Sequence, residues 1–195
     1  MTQGKLEVIC GSMFSGKTNE LLNRLKRAEY AKKDVITIKH QVDNRWSYSC
    51  IVTHDGIERD ARTITSCEEG LDALQQLTRQ GADVVGIDEI QFFPEWTVGV
   101  IEEMVACGIR VIAAGLDMDY RRQPFGIVPD LMAIADEVTK LRAICMKCGE
   151  EANFTQRLHD GLPATHDEQT VVVGGKECYE ARCRNCYEIG AAVTV

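Results

Sequence analysis

Residues 9–20 read ICGSMFSGKTNE, and this stretch restricts the fold more than any other part of the chain. Gly11-Ser12-Met13-Phe14-Ser15-Gly16-Lys17-Thr18 fits G-x-x-x-x-G-K-[ST] at every fixed position. The preceding LEVIC is apolar and partly β-branched, as a short buried strand would be. The following NELLNRLKRAEYAKK sets Leu21, Leu22, Leu25 and Ala28 near helical spacing. Strand, glycine loop and helix in that order form the setting of a phosphate-binding loop. The glycines allow a tight turn whose N–H groups point inward at an anion, and the helix N-terminus adds partial positive charge. Lys17 can reach the β and γ phosphates of a nucleotide, and the Thr18 hydroxyl can ligate Mg²⁺.

The rest of the chain repeats this βα rhythm. DVITIKH (34–40) reads as a second strand, and residues 41–64 are polar and irregular, with room for short strands. CEEGLDALQQLTRQG (67–81) reads as a helix closed by Gly81. ADVVGIDEIQFF (82–93) begins as a buried strand and ends in acids and aromatics. PEWTVGVIEEMVACG (94–108) reads as a helix opened by Pro94, with Val100, Ile101, Met104 and Val105 along one side and a glycine at its end. IRVIAAG (109–115) is another buried strand. Apolar strands alternating with amphipathic helices to about residue 140 predict a parallel α/β sheet flanked by helices. After KLRAIC (140–145) cysteines, turn residues and a polar insertion replace the rhythm, which places a boundary near residue 142 and units at 1–141 and 142–195.

A chain of 195 residues suffices for one sizeable domain, or one with a small appendage. A net charge of −8 argues against a long nucleic-acid track. The chain carries neither a secretory signal nor an apolar run long enough to span a membrane, so a cytosolic protein is expected. Nine cysteines in such a setting favour metal ligation over a disulfide framework.

VVGIDEIQFF sets Asp88 and Glu89 at the end of an apolar strand. Ligands of open parallel sheets sit at the carboxyl ends of the strands, so Asp88 is placed to hold Mg²⁺ and Glu89 to face the γ phosphate. A carboxylate there can accept a proton from an attacking hydroxyl or position a water. Asp-Glu after an apolar strand also occurs in helicases and other ATPases. Three readings compete: a small-molecule kinase, a nucleic-acid translocase, and a GTPase switch. The translocase wants a basic track and a second motor unit, and the GTPase wants Asn-Lys-x-Asp, which is missing here, so the kinase leads. The alternative from another class is a zinc-bearing ATPase that binds nucleic acid.

Cys145-x-x-Cys148 and Cys183-x-x-Cys186 are two metal knuckles separated by 34 residues. Such pairs signal tetrahedral Zn²⁺ held by four thiolates, a closed shell that makes the metal structural. It would tie together the two ends of a long loop. Cys10, Cys50, Cys67, Cys107 and Cys178 lack partners at ligand spacing and read as packing or surface residues.

Taken together, GSMFSGKT, DEIQFF, GLDMDYRRQPFG, KLRAICMKCG, TQRL, VVGG and CRNCY resemble the small P-loop thymidine kinases with a zinc-bearing lasso domain, from about residue 6 to 189. The resemblance implies a RecA-like sheet over 1–141, and a zinc-ribbon/lasso domain over 142–195 that closes on the nucleoside. It implies transfer of the γ phosphate of Mg-ATP to the 5′-hydroxyl of thymidine, and of deoxyuridine. Glu89 then matches the catalytic base, while Lys17, Thr18, Asp88 and Gln91 match phosphate and magnesium residues. Asp43 and Arg45 match an acid–arginine pair near the reacting phosphate. Met13, Phe92, Leu116, Tyr120 and Phe125 match walls of the thymine pocket, and Thr155, Val172, Gly174 and Tyr179 match the lasso. A homotetramer and feedback inhibition by dTTP are implied in the same way. Ile90, Arg122 and Cys178 depart from the family's commoner residues, at positions that tune the pocket or regulation. Mobility is expected around HDGLPATHDEQ (159–169), where the lasso would order over substrate.

Overall fold

The computed structural model describes residues 4–42, 50–52, 58–66, 68–172 and 178–190. In chain order the elements are β1 (Lys5–Gly11), α1 (Lys17–Tyr30), β2 (Val35–His40), β3 (Cys50–Val52), β4 (Glu58–Asp60), β5 (Arg62–Ile64), α2 (Glu68–Gln80) and β6 (Val84–Asp88). A single 3-10 turn, Ile90–Phe92, precedes α3 (Trp96–Ala106), β7 (Arg110–Gly115), α4 (Val128–Ile134) and β8 (Glu137–Leu141). Then follow β9 (Ala143–Ile144), β10 (Glu151–Ala152), β11 (Phe154–His159), β12 (Leu162–Pro163) and β13 (Tyr179–Arg182).

Six strands form one parallel sheet in the order β5-β2-β6-β7-β1-β8. The alternation of side chains along each strand divides the apolar residues between two faces. Leu6, Val8 and Cys10 of β1, Val85 and Ile87 of β6, and Val111 and Ala113 of β7 join the core under α2, α3 and α4. Ile9, Val84, Ile112 and Ala114 face the other way and pack with Leu21, Leu22, Leu25 and Ala28, the α1 stripe legible in the sequence. Full burial of one such leucine is worth about 1.5–3 kcal/mol. Gly86 makes room for this packing, since a Cβ there would lie 2.5 Å from Leu25 Cδ1. Both long helices on the opposite face end as expected, with Gly81 at φ 76 and Gly108 at φ 91.

Several elements were not anticipated. The short strands foreseen within 41–64 include a hairpin, β3–β4, and also β5, which pairs in parallel with β2 at the edge of the main sheet. α4 and β8 continue the βα rhythm to Leu141. Beyond it, β11 pairs with β13 and with β12, the latter through a two-residue turn in which Asp160 and Gly161 have φ of 50 and 80. Part of the stretch expected to be mobile is therefore a defined hairpin.

Parallel pairing puts the carboxyl ends of β6, β7, β1 and β8 side by side. That row of strand ends carries Asp88, Gly115, Gly11 and Leu141, and the site is built on it.

Candidate active site

The glycine loop leaves β1 under steric control. Gly11 has φ 141, and a Cβ would lie 2.3 Å from the Leu141 carbonyl. Gly16, at φ 84, is the N-cap of α1 and has no side chain to satisfy the first N–H groups of the helix. Between them the carbonyl of Ser12 accepts from Ser15 Oγ and Lys17 Nζ, each at 2.8 Å. Lys17 therefore lies along the loop it is meant to serve. Phe14 is non-glycine at φ 64, and its ring packs against the cysteine-rich core of the C-terminal region.

Thr18, in the first turn of α1, donates its hydroxyl to Asp88 Oδ2 at 3.2 Å. Two hard oxygen ligands thus converge from a helix start and a strand end, a donor set that fits Mg²⁺. Asp88 is buried and also accepts from the Glu89 backbone N–H at 3.1 Å. Glu89 turns the chain off β6 with φ 53 and ψ 43, which directs its side chain away from the strand axis. Its Oε2 accepts from Gln91 Nε2 at 2.6 Å, and Gln91 Oε1 accepts from the Leu116 backbone N–H at 3.0 Å.

The expected nucleoside residues come together in pairs. The Met13 backbone N–H donates to Thr155 Oγ1 at 3.0 Å, joining the glycine loop to β11. Phe92 and Phe125 meet edge to face with centroids 5.9 Å apart. Leu116 is held through its backbone N–H, which donates to Gln91 Oε1. The Tyr120 hydroxyl lies 2.8 Å from the Thr165 carbonyl and 3.0 Å from that of Glu168. Tyr179 donates to the Val172 carbonyl at 2.9 Å. Burial pushes both phenols above their usual range, which keeps them donors. Asp43, Arg45 and Gly174 lie outside the described residues.

A second set of residues holds the 164–172 segment, and no local pattern in the chain signals it. Arg157 is buried on β11, donates to the Gln169 carbonyl, lies 3.4 Å from the Glu168 carboxylate and covers the Tyr120 ring at 5.2 Å. Arg121, itself bound to Asp119 at 2.8 Å, donates to Thr170 Oγ1 at 2.9 Å. TQRL was legible as a motif, but the role of its arginine depends on contacts with a segment remote in sequence.

The four cysteines Cys145, Cys148, Cys183 and Cys186 bring their sulfurs within 4.8 Å of one another. The Cys148 and Cys183 sulfurs are 3.6 Å apart. Four thiolates at about 2.3 Å from a tetrahedral zinc stand about 3.8 Å apart, so the cluster fits that ion. Burial pushes the Cys145 thiol up, but backbone N–H groups of Cys183, Lys147 and Cys148 outweigh it and bring it down to about 6. Cys10 is buried in the sheet, and Cys50, Cys107 and Cys178 stand apart from the cluster. Cys67 lies outside the described residues.

A glycine loop between β1 and α1, answered by an acid at the end of β6, is the arrangement of P-loop α/β nucleotide-binding proteins. Residues 4–187 match the family described as Thymidine kinase, and the chain belongs to that family. The enzyme is accordingly a kinase that phosphorylates thymidine. No helix among the described residues is long and apolar enough to cross a membrane.

Proposed function

We propose that the enzyme transfers the γ phosphate of ATP to the 5′-hydroxyl of thymidine, and of deoxyuridine, giving the 5′-monophosphate and ADP. Residues 1–141 bind the nucleotide, and residues 142–195 close over the nucleoside. The observation that carries this reading is the convergence of Thr18 and Asp88, at 3.2 Å, beside Glu89 and beneath a loop tied to Thr155.

Glu89 takes the proton from the 5′-hydroxyl as its oxygen bonds to the γ phosphorus. The bond from that phosphorus to the β-bridging oxygen breaks, and its electron pair leaves on ADP. Lys17 turns from the Ser12 carbonyl to the β and γ phosphates, and the loop N–H groups meet the same charge. Thr18 and Asp88 form the magnesium and phosphate side, and Asp43 and Arg45 are assigned to it by the resemblance to the family. Mg²⁺ held by Thr18 and Asp88 would supply charge neutralisation for the transferring phosphate. Met13, Phe92, Leu116, Tyr120 and Phe125 wall the base, and Thr155, Val172, Gly174 and Tyr179 cover it, excluding water that would otherwise take the phosphate. We assign the protein to nucleotide salvage for DNA synthesis in the cytoplasm, as a homotetramer inhibited by dTTP at the substrate site.

The test is product analysis with Mg-ATP and a nucleoside panel. Thymidine, alone or with deoxyuridine, should become the 5′-monophosphate with matching ADP. ATP hydrolysis stimulated by DNA or RNA and not by nucleosides would overturn the reading. Glu89→Gln should lower kcat by about 100-fold or more, with nucleotide affinity within about threefold by the same principle, since the base contributes only as the proton moves. Unchanged turnover would remove Glu89 as the base.

A further inference from the structure

Gln91 stands between two strand ends. It sits in the 3-10 turn after β6, is only 3% exposed, and reaches across to the residue that follows β7. Two glycines make its slot. A Cβ on Gly115 would lie 2.6 Å from Gln91 Oε1, and one on Gly126, at φ 53, would lie 2.2 Å from the Gln91 carbonyl. Gly115 thus leaves room for the Gln91 amide, and Gly126 for the Gln91 backbone.

The chemistry fixes which end of the amide points where. A backbone N–H only donates, so the atom 3.0 Å from Leu116 N must be the amide oxygen. The other end is then Nε2, which only donates, and it meets Glu89 Oε2 at 2.6 Å. That separation is at the short end of hydrogen bonds to an ionised partner. A flipped amide would set N–H against N–H at Leu116. The peptide of Leu116 therefore sets the orientation of Gln91, and Gln91 sets that of one Glu89 oxygen.

Glu89 has reason to need such a guide. Its backbone is left-handed at φ 53, a conformation that costs an ordinary residue about 1–2 kcal/mol. The Phe92 N–H, donating to its carbonyl at 3.1 Å, and its own N–H on Asp88 hold that backbone. The side chain beyond it is steered by Gln91 Nε2 on one carboxylate oxygen.

We propose that Gln91 is a positioning residue for the base, acting through Glu89 and locked in place by the Leu116 peptide. This rests on the reading of Glu89 as the base. It gives Gln91 a different task from direct nucleotide or magnesium contact, and it links the base to the strand end that walls the nucleoside.

The test is a double-mutant cycle on the zinc-loaded full chain, with Mg-ATP and thymidine. Gln91→Met keeps the volume and loses both bonds. Gln91→Glu keeps an acceptor for Leu116 but sets a second carboxyl against Glu89, so the pair shares a proton and Glu89 no longer stands as a guided carboxylate. Each should lower kcat by about tenfold or more through misplacement of the base, with both KM values within about threefold because ground-state contacts are untouched. In a Glu89→Gln background the same changes should cost less than about twofold, because residues that act as a unit are not additive. If Gln91→Met melts at the assay temperature, Gln91→Glu carries the cycle. An equal loss of kcat in both backgrounds, or wild-type kcat in both Gln91 variants beside an inactive Glu89→Gln, overturns this inference alone. Full turnover in Glu89→Gln removes the base reading and this inference with it.

Discussion

Replacing Glu7 by glutamine should cost the fold about as much as a buried leucine, and only above the acid range. Glu7 lies on β1, 2% exposed, on the face that carries α1. Its Oε1 accepts from Arg110 Nε at 2.8 Å, and its Oε2 accepts from Arg110 Nη2 at 3.0 Å and Arg24 Nη1 at 2.8 Å. Arg24 goes on to Glu20 at 2.8 Å and Thr139 at 2.9 Å, so one carboxylate ties β1 to β7, α1 and β8. Burial pushes Glu7 up, but the Arg110 and Arg24 hydrogen bonds and the Arg110 and Lys5 charges outweigh it and bring it from 4.5 down to about 2. At 1.36 kcal/mol for each pH unit, that fall is worth about 3 kcal/mol. Because the folded value is the lower one, this stability is fully present above pH 4.5 and is lost as pH falls toward 2. Urea unfolding of wild type and Glu7→Gln at equal protein concentration should therefore differ by about 3 kcal/mol at pH 7, with the gap closing toward pH 2. The site lies about 13 Å further along the strand, so kcat of the folded variant should match wild type. A gap below about 1 kcal/mol, the range of an ordinary exposed pair, or one that does not change with pH, would refute the argument.

Cys183→Ser should lose bound zinc, and full metal retention in elemental analysis would count against the four-cysteine site. Arg157→Met should raise KM for thymidine by about tenfold or more, the worth of charged hydrogen bonds to the 164–172 segment, while KM for ATP moves little; unchanged thymidine KM would leave Arg157 a packing residue. Without ligand, amide exchange across residues 159–169 should be faster than in α1, and equal protection in both would contradict a closing lasso.

What could be read from the sequence is what depends on close spacing. The glycine loop, the acids ending an apolar run, the α1 stripe and each C-x-x-C are all local patterns, and all stand where they were expected. What could not be read lacks a period. β5 is three residues with only Ile64 buried, and β8 is an edge strand reading EVTKL, so neither alternates cleanly. α4 spans seven residues, too few to declare a face. The β11–β13 pairing joins Arg157 to Tyr179 across the lasso, and no short-range rule finds it. Asp160-Gly161 between His159 and Leu162 is by contrast a local hairpin signal, and β11 and β12 pair across it. Leu116 shows the subtler limit. The resemblance makes its side chain a pocket wall; its peptide N–H also engages Gln91, and a backbone contact leaves no trace in residue type.

The same distinction shows in how the cysteine-rich region meets the phosphate loop. Three successive residues of the glycine loop touch the C-terminal region: Ser12 Oγ donates to the Ala152 carbonyl at 3.4 Å, the Met13 N–H donates to Thr155, and Phe14 packs against the cysteine-rich core. Phe14 holds a left-handed backbone that a phenylalanine adopts only at a cost of about 1–2 kcal/mol, and its packing offsets that cost only while the cysteine-rich core stays assembled. Ser12 in turn supplies the carbonyl on which Lys17 rests. The cysteine-rich core and its neighbours thus back the phosphate loop through three successive residues. Loosening them should disturb the loop proposed to hold the phosphates together with the region proposed to cover the nucleoside, which is the coupling an enzyme needs if phosphate is to be transferred only when both substrates are enclosed.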